Sequence, residues 1–411
     1  MQAPAASIDR STDTSPLPFL EFLTLIAALM ALAALGIDSM LPALGDIATH
    51  LGVARVGDRP LVITTFVVGL GVGQLIHGPL TDRFGRRPVM IAGLGGFVAA
   101  MLLCAVADSF ALLLAARFAG GLACAAARVV TVALVRDCFS GRAMARVNSL
   151  AFMTFMIVPI LAPTLGQVVM LVGSWRTIFV VVAGIALAVL IWFARRMPET
   201  HVADSRQPLS FSRIGAGWRV VLGDRLSIGY ALAATAMQGA IFGYLSSIQP
   251  IMELVFKRPE WLAGVFAISA GLMAVANLAN ARIVMLLGMR RIAHGALIAM
   301  LAVSIIAAAV SRAGAETLPV FVALQGISMA SFSLAGSNMS TLAMENMGRI
   351  AGTASSVQGF LAITLGAVFG TLIGRAFDGT TMPLHVGFAL TAMVALAITA
   401  WVERGRLFRT A

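Results

Sequence analysis

The sequence is poor in charged residues, which make up 11% of its 411 residues. A soluble domain carries about 25% charged residues, so this composition excludes an ordinary water-soluble enzyme. Lysine is nearly absent, with Lys257 alone, and arginine therefore supplies almost all of the positive charge. The three cysteines form no CxxC pair, and the five histidines are widely separated. We therefore expect no metal site, no redox site and no catalytic residues.

Hydrophobic residues instead dominate, at 59% of the chain, and the mean hydropathy is +0.94. A bilayer core needs about 20 apolar residues per helix, so twelve spans would use roughly 240 residues. The first apolar stretch is too long for a signal peptide and is predicted to be a retained span. The sequence thus predicts an all-α membrane protein with twelve transmembrane helices, at about 19–44, 59–79, 88–107, 109–134, 146–170, 175–193, 226–249, 261–284, 292–311, 317–341, 351–374 and 383–402.

The distribution of arginine predicts the orientation of these spans. Most of the 29 Lys and Arg residues fall on the side that carries the termini and the loops after even-numbered spans. Short cytoplasmic loops retain positive charge during insertion, so both termini are predicted to be cytoplasmic. The formal net charge of +11 is then a topology signal, and we expect no nucleic-acid partner.

A long polar stretch, 194–225, divides the predicted spans into six and six. We interpret 1–193 and 226–411 as two six-helix bundles with cytoplasmic tails, joined by a cytoplasmic linker. Internal duplication in transporters places the substrate site between the halves, near the membrane midplane. The halves share a weak sequence similarity after spans two and eight, in Gly85-Arg86-Arg87 and Gly288-Met289-Arg290-Arg291.

The predicted loop after span two, Gly78–Pro88, combines glycines with paired charges. A glycine at its start allows two helices to approach closely, and a later glycine allows a tight turn. An aspartate and an arginine four residues apart supply a charge pair that locks one conformation, and a third charge after span four is placed to join them. The alternative is a cytoplasmic positive loop without a gating role. The residues concerned are Gly78, Asp82, Arg83, Gly85, Arg86, Arg87 and Asp137.

The stretch Gly78–Pro88 is similar to the signature loop GxLxDRxGRR of the major facilitator superfamily, and every fixed position matches. Further landmarks resemble the Bcr/CflA group of drug-resistance exporters in that superfamily, namely Asp38–Pro42, Pro159–Gly166, Trp175–Phe179 and Met197–Thr200. The resemblance extends along nearly the whole chain. It implies the major facilitator fold, two pseudo-symmetric six-helix bundles, and exchange of protons for drugs such as bicyclomycin and chloramphenicol.

Two features bear on how far the resemblance extends to mechanism. Pro159, Pro163 and Gly166 resemble the antiporter motif of the fifth span, which implies exchange rather than symport, with an ordinary proline kink as the alternative. Gly120 stands where the similar RxxQG motif of the fourth span has glutamine. Its loss removes one polar group from the cavity, so a changed substrate preference is expected.

Three charged residues lie deep in the predicted spans: Asp38, Arg117 and Arg128. A charge at the bilayer centre costs at least ~2.5 kcal/mol, which makes each a functional candidate. Movement of Arg117 relative to Asp38 would switch the protonation of the carboxyl, as proton coupling requires. A static brace between them and a solvated Asp38 near the periplasmic end are the alternatives. Arg128 shares the face of Arg117 about 16 Å further along the helix. It lies on the substrate pathway, or else it snorkels to the interface or pairs with a loop carboxylate.

Further candidates for the substrate cavity are polar groups in the second half and two methionines of span five that form an adaptable wall. For each polar group, an interhelical hydrogen bond is the alternative to ligand contact. With Asp38 and Arg128, the predicted cavity residues are Met153, Met156, Tyr244, Gln249, Asn277, Asn338 and Gln358.

These observations together predict a proton-coupled exporter of small apolar or weakly cationic drugs, such as amphenicols or bicyclomycin. We expect a monomer in the bacterial inner membrane that is driven by the proton gradient without a cofactor. Export of a cellular metabolite such as an amino acid is the first alternative, and a non-transporting scaffold or sensor is the second. The intact Asp38, Arg117 and Gly78–Arg87 disfavour the scaffold, because a sensor needs no protonatable carboxyl at the midplane.

Overall fold

The computed structural model describes residues 15–139, 147, 158, 161–200, 211–347 and 351–408. Within these ranges, eleven helices are long and apolar enough to cross a membrane, and a shorter apolar helix occupies the end of the predicted fifth span. The rest of that span lies largely outside the described residues. The first half contains α1 (Phe19–Asp38), α2 (Leu44–His50), α3 (Leu61–Phe84), α4 (Arg86–Ala105), α5 (Phe110–Cys138), α6 (Leu161–Val172) and α7 (Trp175–Arg196).

The predicted linker contains a helix of its own, α8 (Phe211–Gly223). Trp218 of this helix packs on Phe360 of the second half, with ring centroids 5.9 Å apart. The second half follows with α9 (Arg225–Pro250), α10 (Leu262–Leu287), α11 (Met289–Arg312), α12 (Leu318–Ala343), α13 (Ala351–Arg375) and α14 (Met382–Val402).

Glycines bring α3 and α5 into backbone contact. A Cβ atom added to Gly69 would lie 2.1 Å from the carbonyl oxygen of Phe118, and one added to Gly121 would lie 1.9 Å from that of Phe66. Neither position accepts a larger residue without moving a helix. Small residues allow close packing within a bilayer, where lipid supplies no hydrophobic drive for helices to associate.

The two halves meet along α3 and α13. The hydroxyl oxygens of Thr64 and Thr371 lie 2.7 Å apart, and a Cβ atom at Gly71 would lie 2.2 Å from the hydroxyl oxygen of Thr364. Ion pairs add to this contact where α3 begins and α13 ends. We call the side of the bundle that carries the start of α1 and the end of α14 the arginine-rich end. The side that carries these ion pairs is the opposite end.

Candidate functional site

Asp38 ends α1, and its side chain is buried with 5% of its surface exposed. Within the described residues, its Oδ1 atom has no hydrogen-bond partner, and neither has the Nη1 atom of Arg117. Arg117 is fully buried and donates from Nε to the Val62 carbonyl at 2.8 Å and from Nη2 to the Gly36 carbonyl at 2.7 Å. Its guanidinium lies 4.4 Å from the Phe66 ring centroid. Asp38 and Arg117 thus approach the same end of α1 without an ion pair among these contacts.

The packing around Gly120 accounts for its departure from the RxxQG pattern. A Cβ atom at this position would lie 2.8 Å from the methyl carbon of Met101 and 3.4 Å from the Cβ of Ala100. A glutamine would therefore require the flexible side chain of Met101 to move aside. The space that a polar side chain would occupy is filled by methionine.

Arg128 has an exposed side chain, unlike Arg117 on the same helix face. In the part of the chain that the structure describes, Arg128 has no hydrogen bond or ion pair. Pairing with a loop carboxylate, one of the two predicted alternatives, is therefore not seen among the described residues.

Arg86 lies at the centre of a charge cluster at the arginine-rich end. Its Nη1 atom contacts Asp82 at 2.8 Å and its Nε atom contacts Asp137 at 2.8 Å, while only 2% of its side chain is exposed. Gly85 links α3 to α4 with φ = 98°, a conformation that L side chains rarely adopt. The turn thus brings three charges from α3, α4 and α5 together.

Glu199, which follows α7, caps the start of α4. Its two carboxylate oxygens accept hydrogen bonds from the backbone N–H groups of Arg86 at 2.8 Å and Arg87 at 3.1 Å. A carboxylate at a helix N-terminus satisfies unpaired N–H groups and the helix dipole. Arg87 in turn donates to the carbonyls of Met197 at 3.1 Å and Ala194 at 2.7 Å. The end of α7 is therefore tied to the α3–α4 turn.

Two predictions about this segment were wrong. The segment from Gly78 to Phe84 belongs to α3, so the predicted loop is reduced to the turn at Gly85. A Cβ atom added to Gly78 would meet no described neighbour within 4 Å, so close helix approach does not require glycine there. Arg83 lies 5.2 Å from the ring centroid of Phe84, at the exposed end of the helix.

A matching cluster in the second half was not predicted. Arg290, just after the turn at Gly288, contacts Glu345 at 2.9 Å and Glu403 at 3.0 Å. The Tyr230 hydroxyl donates to Glu403 at 2.7 Å. Burial alone would raise the pKa of Glu403, but these hydrogen bonds from Tyr230 and Arg290 hold that pKa below its ordinary value. The sequence similarity in glycine and arginine pointed to Arg290, whereas its distant partners had no local signal.

The predicted cavity residues of the second half bond to neighbouring helices. Such bonds are the interhelical alternative for these residues, and ligand contact stays a prediction. The pairs are Tyr244 with Ser269 at 3.2 Å, Asn277 with Ser333 at 2.7 Å, Asn338 with Asn280 at 2.9 Å, and Gln358 with the sulfur of Met344 at 3.3 Å.

Gln249 belongs to a group of polar residues where the halves meet at the opposite end. Its amide donates to Glu253, which also pairs with Arg59 across the halves at 3.4 Å. A second cross-half pair joins Arg375 to Asp58 at 2.5 Å. A cavity of about 530 Å³ lies beside Glu253 and takes lining residues from both halves. Contacts between opposite charges therefore hold the halves together at this end.

The predicted antiporter motif is described only in part. A Cβ atom at Gly166 of α6 would lie 2.2 Å from the carbonyl oxygen of Ser39, so this helix packs directly against the end of α1. Pro163 lies in the same helix. The predicted residues that lie outside the described residues are Pro159, Met153 and Met156.

His385 and Glu316 form a buried pair at the opposite end of the second half, at 2.8 Å. The two are 69 residues apart in sequence, and no local pattern links them. In the described ranges, no group of three or more His, Cys, Asp or Glu side chains is arranged to hold a metal ion.

Comparisons with known proteins agree with this architecture. The family model of the Major Facilitator Superfamily matches residues 26–371. The chain is 30% identical over 380 residues to the uncharacterized MFS-type transporter YdgK of Bacillus subtilis, covering 90% of this chain and 92% of the relative. It is 28% identical to a bicyclomycin resistance protein homolog of Haemophilus influenzae, covering 92% and 95%. Multidrug resistance protein MdtL of Escherichia coli is 31% identical over 252 residues, covering 61% and 63%.

Among solved structures, the human organic anion transporter MFSD10 matches with a TM-score of 0.68 at 19% identity, covering 94% of this chain and all of that one. At this identity the likeness concerns the fold. The chain belongs to the Major Facilitator Superfamily and is a multi-pass membrane transporter with the fold of that family.

Proposed function

We propose that this protein exports small, mainly apolar drugs in exchange for protons, by alternating access between its two halves. Amphenicols and bicyclomycin-like compounds are the substrate class, which the names of the relatives from Haemophilus influenzae and Escherichia coli support. The arginine-rich end faces the bacterial cytoplasm, since positive charge is retained there during insertion. The proton gradient drives transport without a cofactor, and one chain supplies both halves of a monomeric unit.

The carboxyl of Asp38, unpaired among the described residues, is the observation that carries this proposal. Burial of an ionised carboxylate without a partner is costly, so the side chain is neutral while it remains enclosed. Access to water from one side allows it to release that proton. The Nη1 atom of Arg117, whose guanidinium is anchored to the nearby Gly36 carbonyl, is available to the ionised form. Asp38 thus has one environment for each protonation state.

Alternating access requires an end that opens and an end that closes. The ion pairs between the halves lie at the opposite end, so the conformation described here is held closed on that side. The cluster around Arg86 links α3, α4 and α5 at the other end. In this proposal, the turn at Gly85 and the carboxylates of Asp82 and Asp137 keep this cluster intact while the halves move.

Proton movement in energised inverted membrane vesicles, followed with a pH-sensitive dye, tests the proposal. We expect chloramphenicol to cause dye recovery with wild type and with Asp108→Asn, whose side chain is exposed and makes only a long contact with Arg176 at 3.8 Å. Asp38→Asn should abolish recovery, because an amide cannot carry the proton. Recovery of equal size with Asp38→Asn would refute proton coupling through this residue.

Export of a metabolite, such as an amino acid, is the second candidate. Gly120 favours it, because the polar group that the family's RxxQG motif would supply is absent and Met101 fills the space beside Gly120. Amino acids added in the same vesicle assay distinguish the two candidates. Recovery with an amino acid and none with the drugs would select the metabolite exporter.

A further inference from the structure

Three side chains form an exposed stripe along the arginine-rich half of α5. Arg128, Val132 and Arg136 are spaced four residues apart and exposed, Val132 to 62% of its surface. The residues of α5 between and beside them are mostly buried, including Val130, Leu134 and other neighbours. Within 120–138, the exposed residues of α5 therefore lie on this one face.

The stripe faces the interior of the protein rather than lipid. Arg128 follows Arg117 by 11 residues, about three helical turns, so the two point in nearly the same direction. Arg117 points between α1 and α3, where it donates to the carbonyls of Gly36 and Val62. A bare guanidinium in hydrocarbon would also be expensive, whereas a water-filled pathway solvates it. Arg128 therefore lines the open side of the space between the helices.

The protein supplies Arg128 with no counter-charge that the structure describes. Arg128 and Arg136 take part in no hydrogen bond or ion pair there. The segment 138–198, which includes the whole predicted fifth span, contains no Asp or Glu. Asp38 ends α1, whose Gly36 carbonyl meets Arg117, and Arg117 lies about 16 Å from Arg128 along the helix axis. Within the described ranges, the positive charge at mid-membrane is thus left uncompensated.

We propose that Arg128 binds an acidic group, a carboxylate or a phosphate, on the transported compound, and that Arg136 attracts this group from the arginine-rich end. This inference rests on the proposed export function and specifies its substrate class. A guanidinium group binds a carboxylate or phosphate through two parallel charge-assisted hydrogen bonds. A row of positively charged side chains also raises the local concentration of anions. The corresponding helix of the second half, α12, exposes the hydroxyl-bearing residues Ser337, Ser340 and Thr341.

The inference revises the expectation of weakly cationic substrates. An unpaired guanidinium repels a cation and tolerates a neutral compound, so the expected substrates are neutral or anionic. The acidic group of a substrate and the proton on Asp38 occupy different depths of the protein and do not compete for one position.

Chloramphenicol and its hemisuccinate ester test the proposal, because they share a scaffold and differ by one carboxylate. Binding of each is measured by calorimetry on the full-length protein in phosphatidylcholine nanodiscs. Arg128→Gln removes the charge, Arg128→Lys keeps it, and Arg312→Gln removes an exposed arginine at the end of α11 as the matched control. Size-exclusion profiles show which variants are folded.

We expect wild type and Arg312→Gln to bind the hemisuccinate at least about tenfold more tightly than chloramphenicol, a ratio that corresponds to hydrogen bonds with a charged group. Arg128→Gln should lose this preference without weaker binding of chloramphenicol, and Arg128→Lys should retain part of it. A preference unchanged in Arg128→Gln, or absence of hemisuccinate binding to wild type, would overturn the proposal.

Two further arms separate the possible sources of the anion and the two proposals. Loss of the preference in nanodiscs that contain phosphatidylglycerol would assign Arg128 to a lipid headgroup and overturn its role in substrate binding. Arg128-dependent binding without proton movement in vesicles would refute the antiport mechanism and leave the anion site standing. Proton movement with chloramphenicol and no Arg128 dependence would do the reverse.

Discussion

Reversal of the charge on Arg375 should open the protein at the opposite end. Arg375 contacts Asp58 at 2.5 Å and 2.9 Å, and Arg59 contacts Glu253 at 3.4 Å, all across the two halves. A solvent-exposed ion pair contributes about 0.2–1 kcal/mol. Two like charges 4 Å apart in water repel by about 1 kcal/mol. Arg375→Asp therefore shifts the balance by up to about 2 kcal/mol, or about 30-fold in the ratio of open to closed forms.

Alkylation of an introduced cysteine measures this shift. Ser246→Cys is suited to the purpose, because Ser246 is buried between the halves beside Gly374 and Pro60. The native cysteines at 104, 124 and 138 are buried and give a low background. A membrane-impermeant thiol reagent applied from the opposite end should react up to about 30-fold faster in Arg375→Asp.

The charge swap supplies the control for this experiment. Asp58→Arg together with Arg375→Asp restores an attractive pair, so the alkylation rate should return close to that of the unmodified pair. An unchanged rate in Arg375→Asp, or a fast rate that the swap does not reverse, would refute the view that ion pairs hold this end closed.

Three further predictions concern stability in detergent. Gly85→Ala should destabilise the protein by about 1–3 kcal/mol, because the residue has φ = 98° and a Cβ atom would lie 2.4 Å from Glu199; an unchanged melting temperature contradicts this. Gly120→Gln should cost about 1–3 kcal/mol through overpacking, and Met101→Ala in the same chain should recover part of that loss. The lowered pKa of Glu403 predicts that the ionised carboxylate contributes fully to the free energy of unfolding above pH ~4.5. This contribution is lost as the pH falls through the folded-state pKa, so Glu403→Gln should flatten the acid limb of a plot of melting temperature against pH.

Helix positions and the charge cluster at Arg86 could be predicted from the sequence, for different physical reasons. Apolar runs of about 20 residues have few alternatives in a bilayer, which fixes the helices. Asp82 and Arg86 lie four residues apart at the junction of two helices, so local spacing brings them together. Glu199 is 113 residues from Arg86, and its capping role depends on how α7 ends beside α4. Tertiary packing of that kind leaves no local sequence pattern.

The same limit explains the outcome at Asp38. The positions of Asp38 and Arg117 along their predicted spans indicated that the two lie close together. Such positions do not specify which acceptor a guanidinium binds. The Gly36 carbonyl lies in the last turn of α1, where carbonyls lack a helical N–H partner, and the Val62 carbonyl at the start of α3 also accepts a hydrogen bond from Arg117. Hydrogen bonds to these backbone groups fix the guanidinium without consuming the carboxyl. A proton-binding role needs that carboxyl unpaired, so this geometry suits the proposed mechanism better than the alternative of a static brace.

The distribution of ion pairs indicates which parts of the protein move. Arg86 forms a largely buried pair with Asp137, and breaking a buried pair costs about 3–5 kcal/mol. Arg290 holds the corresponding elements of the second half. Arg375 and Asp58, which pair between the halves, are more exposed, and such a pair is worth about 0.2–1 kcal/mol. Because the buried contact of Arg86 with Asp137 within the first half costs more to break than the exposed contact of Arg375 with Asp58 between the halves, the halves should move as rigid bodies and separate at the opposite end.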